Sequence, residues 1–213
     1  MLIDALLAEE FSAKLLHIQA IQLQPEAPFQ WASGWRSPIY CDNRLTLSYP
    51  DIRDFIQNAL HQGMKEHFPD AEAVAGVATA GIAHGLLLAE AASLPFAYVR
   101  SSAKSHGRQN RMEGRLEKGQ KVVVVEDLIS TGGSALDAVR ALQDTGVVVQ
   151  GVMALYHYGF SQADAAFEKA GLPLLTITDY PTTIRQALDE GRIEPEQEAL
   201  LRAWREDPES WGQ

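Results

Sequence analysis

The sequence predicts an α/β fold with a central parallel sheet of about five strands flanked by helices. Short apolar runs that suit buried strands alternate with helical patterns of about ten residues, which is typical of a parallel sheet. In two places an apolar run leads through a loop of small residues into a helix. The chain has 213 residues, 46% of them hydrophobic, which is enough for one such domain with a sizeable core.

Apolar spacing places the elements along the chain. One or two amphipathic helices are expected over residues 2–18, and a further helix capped by Ser48 runs to residue 64. The predicted strands are residues 73–78, 96–100, 122–125, 146–155 and 174–178. The later predicted helices are residues 82–92, 136–142, 161–170, 182–190 and 195–204.

The strand at residues 122–125 opens the most informative stretch of the chain. Four consecutive valines predict a strand that is buried on both faces. Two carboxylates, Glu126 and Asp127 (the acidic pair), follow, and then a loop rich in glycine and hydroxyl groups. The loop opens a helix, whose predicted cap is Ser134 because Asp137 stands three residues later.

This order of strand, acidic pair, loop and helix predicts a binding site. Ligands of open parallel sheets bind at the carboxyl ends of strands, and backbone N–H groups at a helix N-terminus suit a phosphate. Because the acidic pair would repel a phosphate, we expect it to face sugar hydroxyls or a hydrated Mg²⁺. A lone Gly-Gly pair would usually be only a turn, but here the acidic pair and the hydroxyl loop favour a ligand that carries a phosphate together with sugar hydroxyls or a hydrated Mg²⁺.

Two other phosphate-binding motifs are excluded. A P-loop needs Gly-Lys-Ser/Thr, which occurs nowhere in the sequence. In the dinucleotide fingerprint the acidic residue follows the glycines, whereas here the acidic pair precedes them.

Residues 100–121 (the basic segment) carry seven of the 18 Lys and Arg residues, although the formal net charge of the chain is −10. With its glycines and weak apolar pattern, this segment predicts a mobile loop that closes over a polyphosphate. A solvated loop without a function is the alternative. The acidic net charge argues against general nucleic-acid binding.

Two further stretches are weaker candidates. Residues 25–47 combine turn residues with four aromatic side chains, and predict either a β-hairpin over the site or a dimer contact. Thr79, Ala80 and Gly81 follow the strand at residues 73–78 and form a second possible anion site. We expect His84, on the helix after them, to be packed or exposed rather than a ligand.

The composition also indicates the compartment. Cys41 is the single cysteine, so no internal disulfide forms and a reducing environment fits. The first 20 residues contain acids and lack the basic start of a signal peptide, and no apolar run has the length of a membrane span. We therefore predict a cytoplasmic protein without a membrane partner.

Several of these stretches together resemble the orotate phosphoribosyltransferases, a branch of the type I phosphoribosyltransferase family. The resemblance runs along the whole chain, and the sequence at residues 126–134, EDLISTGGS, resembles the phosphoribosyl-pyrophosphate (PRPP) signature of that family. The other matching stretches are FQWASG at 29–34, SPIYCDNR at 37–44, ATAG at 78–81, YVR at 98–100 and KSHG at 104–107.

The resemblance implies a reaction and a fold. The 5-phosphoribosyl group of PRPP would be transferred to orotate with Mg²⁺, giving orotidine 5′-monophosphate and pyrophosphate in pyrimidine synthesis. Residues 1–213 would form one domain of the type I phosphoribosyltransferase fold. Its core would be about residues 48–180, and its hood would come mainly from residues 1–47 and the C-terminal segment.

The resemblance also implies roles for individual residues. Lys104 and His106 would be catalytic, Ser130 would also lie beside orotate, and Mg²⁺ would be held mainly by PRPP, with no protein ligand. The chain would form a homodimer in which loop residues 100–114 act in the neighbouring subunit's site. The implied PRPP-binding residues are Arg100, Lys104, His106, Glu126, Asp127, Leu128, Ile129, Ser130, Thr131, Gly132, Gly133 and Ser134.

Some questions stay open in the sequence. The orotate carboxylate could meet Arg44 or backbone N–H groups of the hood. The base that accepts the phosphoribosyl group could be one other than orotate. Alternatively, the chain could be a PRPP-sensing regulator that binds nucleic acid. The acidic charge and the Lys104/His106 loop favour an enzyme.

Overall fold

A six-stranded sheet forms the centre of the computed structural model, which describes residues 1–31, 34–100 and 111–211. The helices within these ranges are α1 (Ala5–His17), α2 (Pro50–His67), α3 (Gly81–Ala92), α4 (Gly133–Gln143), α5 (Ser161–Ala170), α6 (Tyr180–Asp189) and α7 (Pro195–Glu206), with a 3₁₀ helix at Asn43–Ser48. The strands are β1 (Ile21–Leu23), β2 (Phe29–Gln30), β3 (Arg36–Ser37), β4 (Ile39–Cys41), β5 (Ala73–Val77), β6 (Phe96–Val99), β7 (Met112–Glu113), β8 (Lys121–Ile129), β9 (Val148–His157) and β10 (Leu174–Asp179).

The sheet has the strand order β10-β9-β8-β5-β6-β7. Its first five strands run parallel, and β7 runs antiparallel to β6. The predicted α/β fold with five parallel strands is therefore confirmed. The sixth strand, Met112–Glu113, lies inside the basic segment, where we expected only a loop; two residues are too few to give an apolar pattern.

The valines of β8 show how the layers form around the sheet. All four are fully buried, as predicted for a strand covered on both faces. Val123 and Val125 pack in one core with α1, α2 and α3, whereas Val122 and Val124 pack in a second core with α4 and α5. Because side chains alternate along a strand, one run of valines serves both layers.

Two predicted helix caps are wrong. Ser48 ends the 3₁₀ helix, and α2 begins at Pro50 after Tyr49, which makes no side-chain capping bond. Helix α4 begins at Gly133, one residue before Ser134, and its N-cap is Gly132 with φ of 79°. Gly132 turns the chain with a positive φ, which glycine adopts readily. The helix therefore starts before Ser134, and Ser134 cannot be its N-cap.

The N-terminal part of the predicted hood, residues 1–47, contains two small antiparallel sheets, β1–β4 and the hairpin β2–β3. The hairpin was one of our two alternatives for residues 25–47. Its half-buried tryptophans, Trp31 and Trp35, pack against the core: the Trp31 ring lies 5.6 Å from that of Trp204 on α7, and Trp204 Nε1 donates to the Arg36 carbonyl at 3.0 Å. These rings therefore join the hairpin to α7.

Within the described ranges, no helix has both the length and the apolarity that crossing a membrane requires.

Candidate active site

A cavity of about 440 Å³ lies at the carboxyl ends of β5 and β8. The hood, the loop after β5, the end of β8 and the first turn of α4 each form part of its wall. The residues that line it are Cys41, Asp42, Arg44, Ala78, Thr79, Ala80, Glu126, Asp127, Leu128 and Ser134. Because β5 and β8 are parallel neighbours, the loops that follow them meet at one edge of the sheet.

The acidic pair lies inside β8, which continues to Ile129, rather than following the strand as predicted. Glu126 is only 6% exposed, and its Oε1 accepts the Asp127 backbone N–H at 3.1 Å. Burial, reinforced by the Asp127 charge, raises the pKa of Glu126 well above its usual range, and burial also raises the pKa of Asp127. The pair therefore favours retention of a proton when no ligand is bound.

Glycine allows the loop after β5 to approach the acidic pair. A Cβ at Gly81 would lie 2.6 Å from the Val125 carbonyl oxygen and 3.4 Å from Glu126 Oε1. Gly81 begins α3, so this contact fixes the N-terminus of α3 against the end of β8. The Ala78–Thr79 peptide bond in this loop is cis.

Residues 130–134 (the cradle) lead from the end of β8 into the first turn of α4. The Leu136 N–H donates to the Gly132 carbonyl at 3.0 Å, which begins the hydrogen bonding of α4. N–H groups earlier in the cradle precede any acceptor within the helix, so they suit an anion. The Ser134 side chain hydrogen-bonds Glu126, which partly offsets the rise in the pKa of that carboxyl.

The hood supplies the opposite wall. Arg44 donates to the Asp42 carboxylate through Nε at 2.6 Å and Nη2 at 2.9 Å. This hydrogen bonding lowers the pKa of Asp42. Burial keeps the Cys41 thiol protonated by raising its pKa, and the charge of Asp127 acts in the same direction. One cation and one thiol thus face the acidic pair.

The predicted PRPP-binding residues are only partly brought together. Glu126, Asp127, Leu128 and Ser134 line the cavity. Ile129 is 1% exposed and its side chain belongs to the core, so only its backbone could face a ligand. Of the remaining cradle residues, those at 130–132 lie between β8 and α4 and Gly133 begins α4, and none of them lines the cavity.

Arg100 lies apart from the cavity lining, just after β6. Its N–H donates to the Arg111 carbonyl at 2.9 Å, and its Nη1 lies 3.6 Å from Glu113 Oε1. Arg111 in turn donates to Asp137 on α4 at 2.5 Å. The predicted catalytic residues Lys104 and His106 fall outside the described residues.

Sequence reasoning missed Cys41, Asp42 and Ala78 as cavity residues. Each is an ordinary residue in its local sequence, and only the order of strands in the sheet and the packing of the hood bring it to β8. The possible anion site at Thr79 and Ala80 was a weak prediction, and the structure places both residues in the same cavity as the acidic pair.

The phosphoribosyl transferase domain family matches residues 44–163, more than half of the chain. An orotate phosphoribosyltransferase of Porphyromonas gingivalis is 53% identical over 206 residues, covering 97% of this chain and 98% of that protein. One of Bacteroides thetaiotaomicron is 53% identical over 201 residues, covering 94% and 95%.

Solved structures agree with this assignment. The crystal structure of orotate phosphoribosyltransferase from Aeropyrum pernix superimposes with a TM-score of 0.75 at 28% identity, covering 86% of this chain and 99% of that one. Together with the cavity at the end of β8, these similarities show that the chain belongs to the orotate phosphoribosyltransferases, within the phosphoribosyl transferase family.

Proposed function

We propose that this protein transfers the 5-phosphoribosyl group of PRPP to orotate, giving orotidine 5′-monophosphate and pyrophosphate in pyrimidine synthesis. The observation that carries the proposal is the single cavity that joins a buried acidic pair to the N-terminus of α4. A sugar phosphate needs both features, because its hydroxyls require acceptors and its phosphate requires N–H donors.

In the proposed complex, the cradle (residues 130–134) binds the 5′-phosphate. Glu126 and Asp127 accept the ribose hydroxyls, and backbone groups of Leu128 and Ile129 complete this wall. Ser130 lies beside orotate. Ionised carboxylates are acceptors only, so binding of the hydroxyls favours loss of the proton that the free pair retains.

The chemistry follows from the charge of the leaving group. As the bond from ribose C1 to pyrophosphate breaks, negative charge grows on the departing oxygens and positive charge on the sugar. Lys104, His106 and Arg100 are proposed to stabilise the pyrophosphate oxygens, with Lys104 and His106 in reach of the reacting atoms. The orotate nitrogen attacks C1, so no protein nucleophile is required.

The acidic pair also fits a magnesium complex of PRPP. Two adjacent carboxylates agree with a Mg²⁺ that retains waters and is held mainly by substrate oxygens, since that ion is commonly bound by one or two carboxylates together with phosphates. No group of three or more metal-binding side chains occurs within the described residues. When bound, Mg²⁺ would neutralise charge on the leaving group.

We further propose a homodimer in which loop residues 100–114 serve the neighbouring site, as the resemblance implies. Mixing a Lys104→Ala variant with an Asp127→Ala variant tests this. If the loop acts across the interface, each mixed dimer contains one intact site, so activity returns after subunit exchange. Two inactive variants that stay inactive after exchange would contradict it.

The organisation of the chain and its location complete the proposal. Residues 1–213 act as one domain, with a core at about residues 48–180 and a hood from residues 1–47 and the C-terminal segment. The packing of Trp31 on Trp204 supports a hood built from both ends of the chain. A cytoplasmic location agrees with Cys41 as the single cysteine.

The proposed activity is tested by supplying PRPP and Mg²⁺ with one base at a time. Orotate, uracil, adenine and hypoxanthine are each incubated with the purified protein, and nucleotides are separated by chromatography. We expect orotidine 5′-monophosphate from orotate and little product from the other bases. Preferential use of another base would overturn the assignment of orotate but would retain phosphoribosyl transfer.

A further inference from the structure

The last residues of β8 are paired with a neighbouring strand on one edge only. Its register with β5 ends at Val125, whereas its register with β9 continues to Ile129. The Lys121 carbonyl accepts the Glu72 N–H beside β5 at 2.8 Å. Alternate carbonyls along a strand face the same neighbour, so the Asp127 carbonyl faces the side on which β5 has already ended.

Asn43, in the predicted hood, donates a hydrogen bond to β8 at the position where β5 has already ended. Its side-chain Nδ2 donates to the Asp127 carbonyl oxygen at 2.7 Å, although the two residues are 84 positions apart. Asn43 is 1% exposed. Its Oδ1 accepts the Cys41 thiol at 3.4 Å, and its own carbonyl accepts the Thr46 hydroxyl at 2.6 Å. Hydrogen bonds therefore hold both the side-chain amide and the backbone carbonyl of Asn43.

We infer that Asn43 is a positioning residue, which orients the Asp127 peptide and thereby aims the Asp127 carboxylate at the ribose hydroxyls. The inference rests on the proposed function, in which the acidic pair binds the sugar. It also makes the hood part of the sugar site, because movement of the 3₁₀ helix (Asn43–Ser48) would move the peptide of Asp127.

A simple tie between two parts of the fold would have a different consequence. Loss of such a tie would weaken the binding of every ligand to a similar extent, because the whole cavity would become less rigid. A positioning role predicts a selective loss, confined to ligand groups that the acidic pair contacts. The ribose hydroxyls can be varied while the phosphate is kept, and this separates the two roles.

The test compares ribose 5-phosphate with 2-deoxyribose 5-phosphate, each titrated calorimetrically into the full-length protein. Wild type should bind ribose 5-phosphate about tenfold more tightly, because one hydroxyl bond to a charged group is worth at least that ratio. In Asn43→Ala the ratio should fall to about threefold or less, with 2-deoxyribose 5-phosphate bound nearly as in wild type.

Gln57→Ala is the matched control. Gln57 Nε2 donates to the Leu87 carbonyl at 2.9 Å, so this variant also loses an amide-to-carbonyl bond between distant segments, but between α2 and α3. It should keep the wild-type ratio. Thermal unfolding of each variant shows that the comparison concerns folded protein.

Asn43→Asp provides a second test should Asn43→Ala fail to fold. A protonated carboxyl can donate to the Asp127 carbonyl, whereas a carboxylate cannot. The ratio of affinities should therefore be close to wild type at low pH and should fall as pH rises, relative to wild type at each pH. A ratio that follows wild type at every pH would overturn the inference.

The remaining outcomes separate the inference from the function on which it rests. If Asn43→Ala weakens both sugar phosphates equally and keeps their ratio, Asn43 is only a structural tie and the inference is wrong. If wild type itself does not distinguish the two sugars, the proposed role of the acidic pair fails first, and the inference fails with it.

Discussion

Gly81→Ala should damage both stability and activity, because Gly81 is where α3 touches the strand that carries the acidic pair. The added Cβ would lie 2.6 Å from the Val125 carbonyl oxygen, roughly 0.8 Å inside ordinary van der Waals contact. The contacted atom is backbone, so a rotamer change cannot relieve the overlap. Overpacking of this kind costs about 1–3 kcal/mol.

That cost converts into measurable changes. For a domain of this size, about 1 kcal/mol shifts Tm by about 2–4 °C, so Gly81→Ala should lower Tm by about 2–12 °C. Because Glu126 directly follows the displaced carbonyl, kcat/KM should also fall, by up to about 100-fold for a displacement near 1 Å. Calorimetry and initial rates with PRPP and orotate measure the two effects.

Gly133→Ala is the matched control, since Gly133 is likewise the first residue of its helix, α4. A Cβ there would meet a single atom within 4 Å, the Thr131 hydroxyl oxygen at 3.9 Å. Its Tm should therefore stay at or above that of wild type, while PRPP binding weakens because the cradle gains a methyl group. Wild-type Tm and activity in Gly81→Ala would refute the close approach of α3 to β8.

Three further predictions concern charge. Burial lowers the pKa of His84 to about 4, so its contribution to stability is complete above the unfolded value of 6.5 and is lost as pH falls towards 4. The loss is about 3 kcal/mol, and unfolding of His84→Gln across this range should show a shallower acid decline. PRPP binding near neutral pH should release protons from the acidic pair, and wild type should release more than Glu126→Gln. Calorimetry in buffers of different ionisation enthalpy measures the number of protons released. Equal release by the two proteins would contradict the raised pKa values of Glu126 and Asp127. Arg44→Ala should raise the KM for orotate about 10- to 100-fold with little change for PRPP, and an unchanged orotate KM would exclude Arg44 as the carboxylate partner.

The sheet could be predicted because its signals are local. Runs such as the four valines of β8 can be buried only in a strand covered on both faces, and each is followed by a helix with its own apolar stripe. The caps failed because Ser48 and Ser134 have the right type and spacing, but the chain turns elsewhere. At Gly132 the turn needs a positive φ, and the glycine that allows it also moves the start of α4.

The site could be predicted only where its functional residues are neighbours in the sequence. Glu126 and Asp127 lie near the end of β8 and the cradle directly follows that strand, so the chain itself brings them close together. The hood wall is different: Asn43 reaches Asp127 only because β5 ends before β8, which no local pattern reveals. Cys41 and Asp42 belong to the same long-range packing and were missed for the same reason.

The most direct test of the central claim is loss of orotate absorbance in the presence of PRPP and Mg²⁺. Wild type, Lys104→Ala and Lys118→Ala are compared, since Lys118 is an exposed lysine of the same basic segment and serves as the control. We predict orotate consumption by wild type and Lys118→Ala, and a rate lower by about 100-fold or more in Lys104→Ala. Folded wild-type protein that binds PRPP but consumes no orotate would contradict the proposed function.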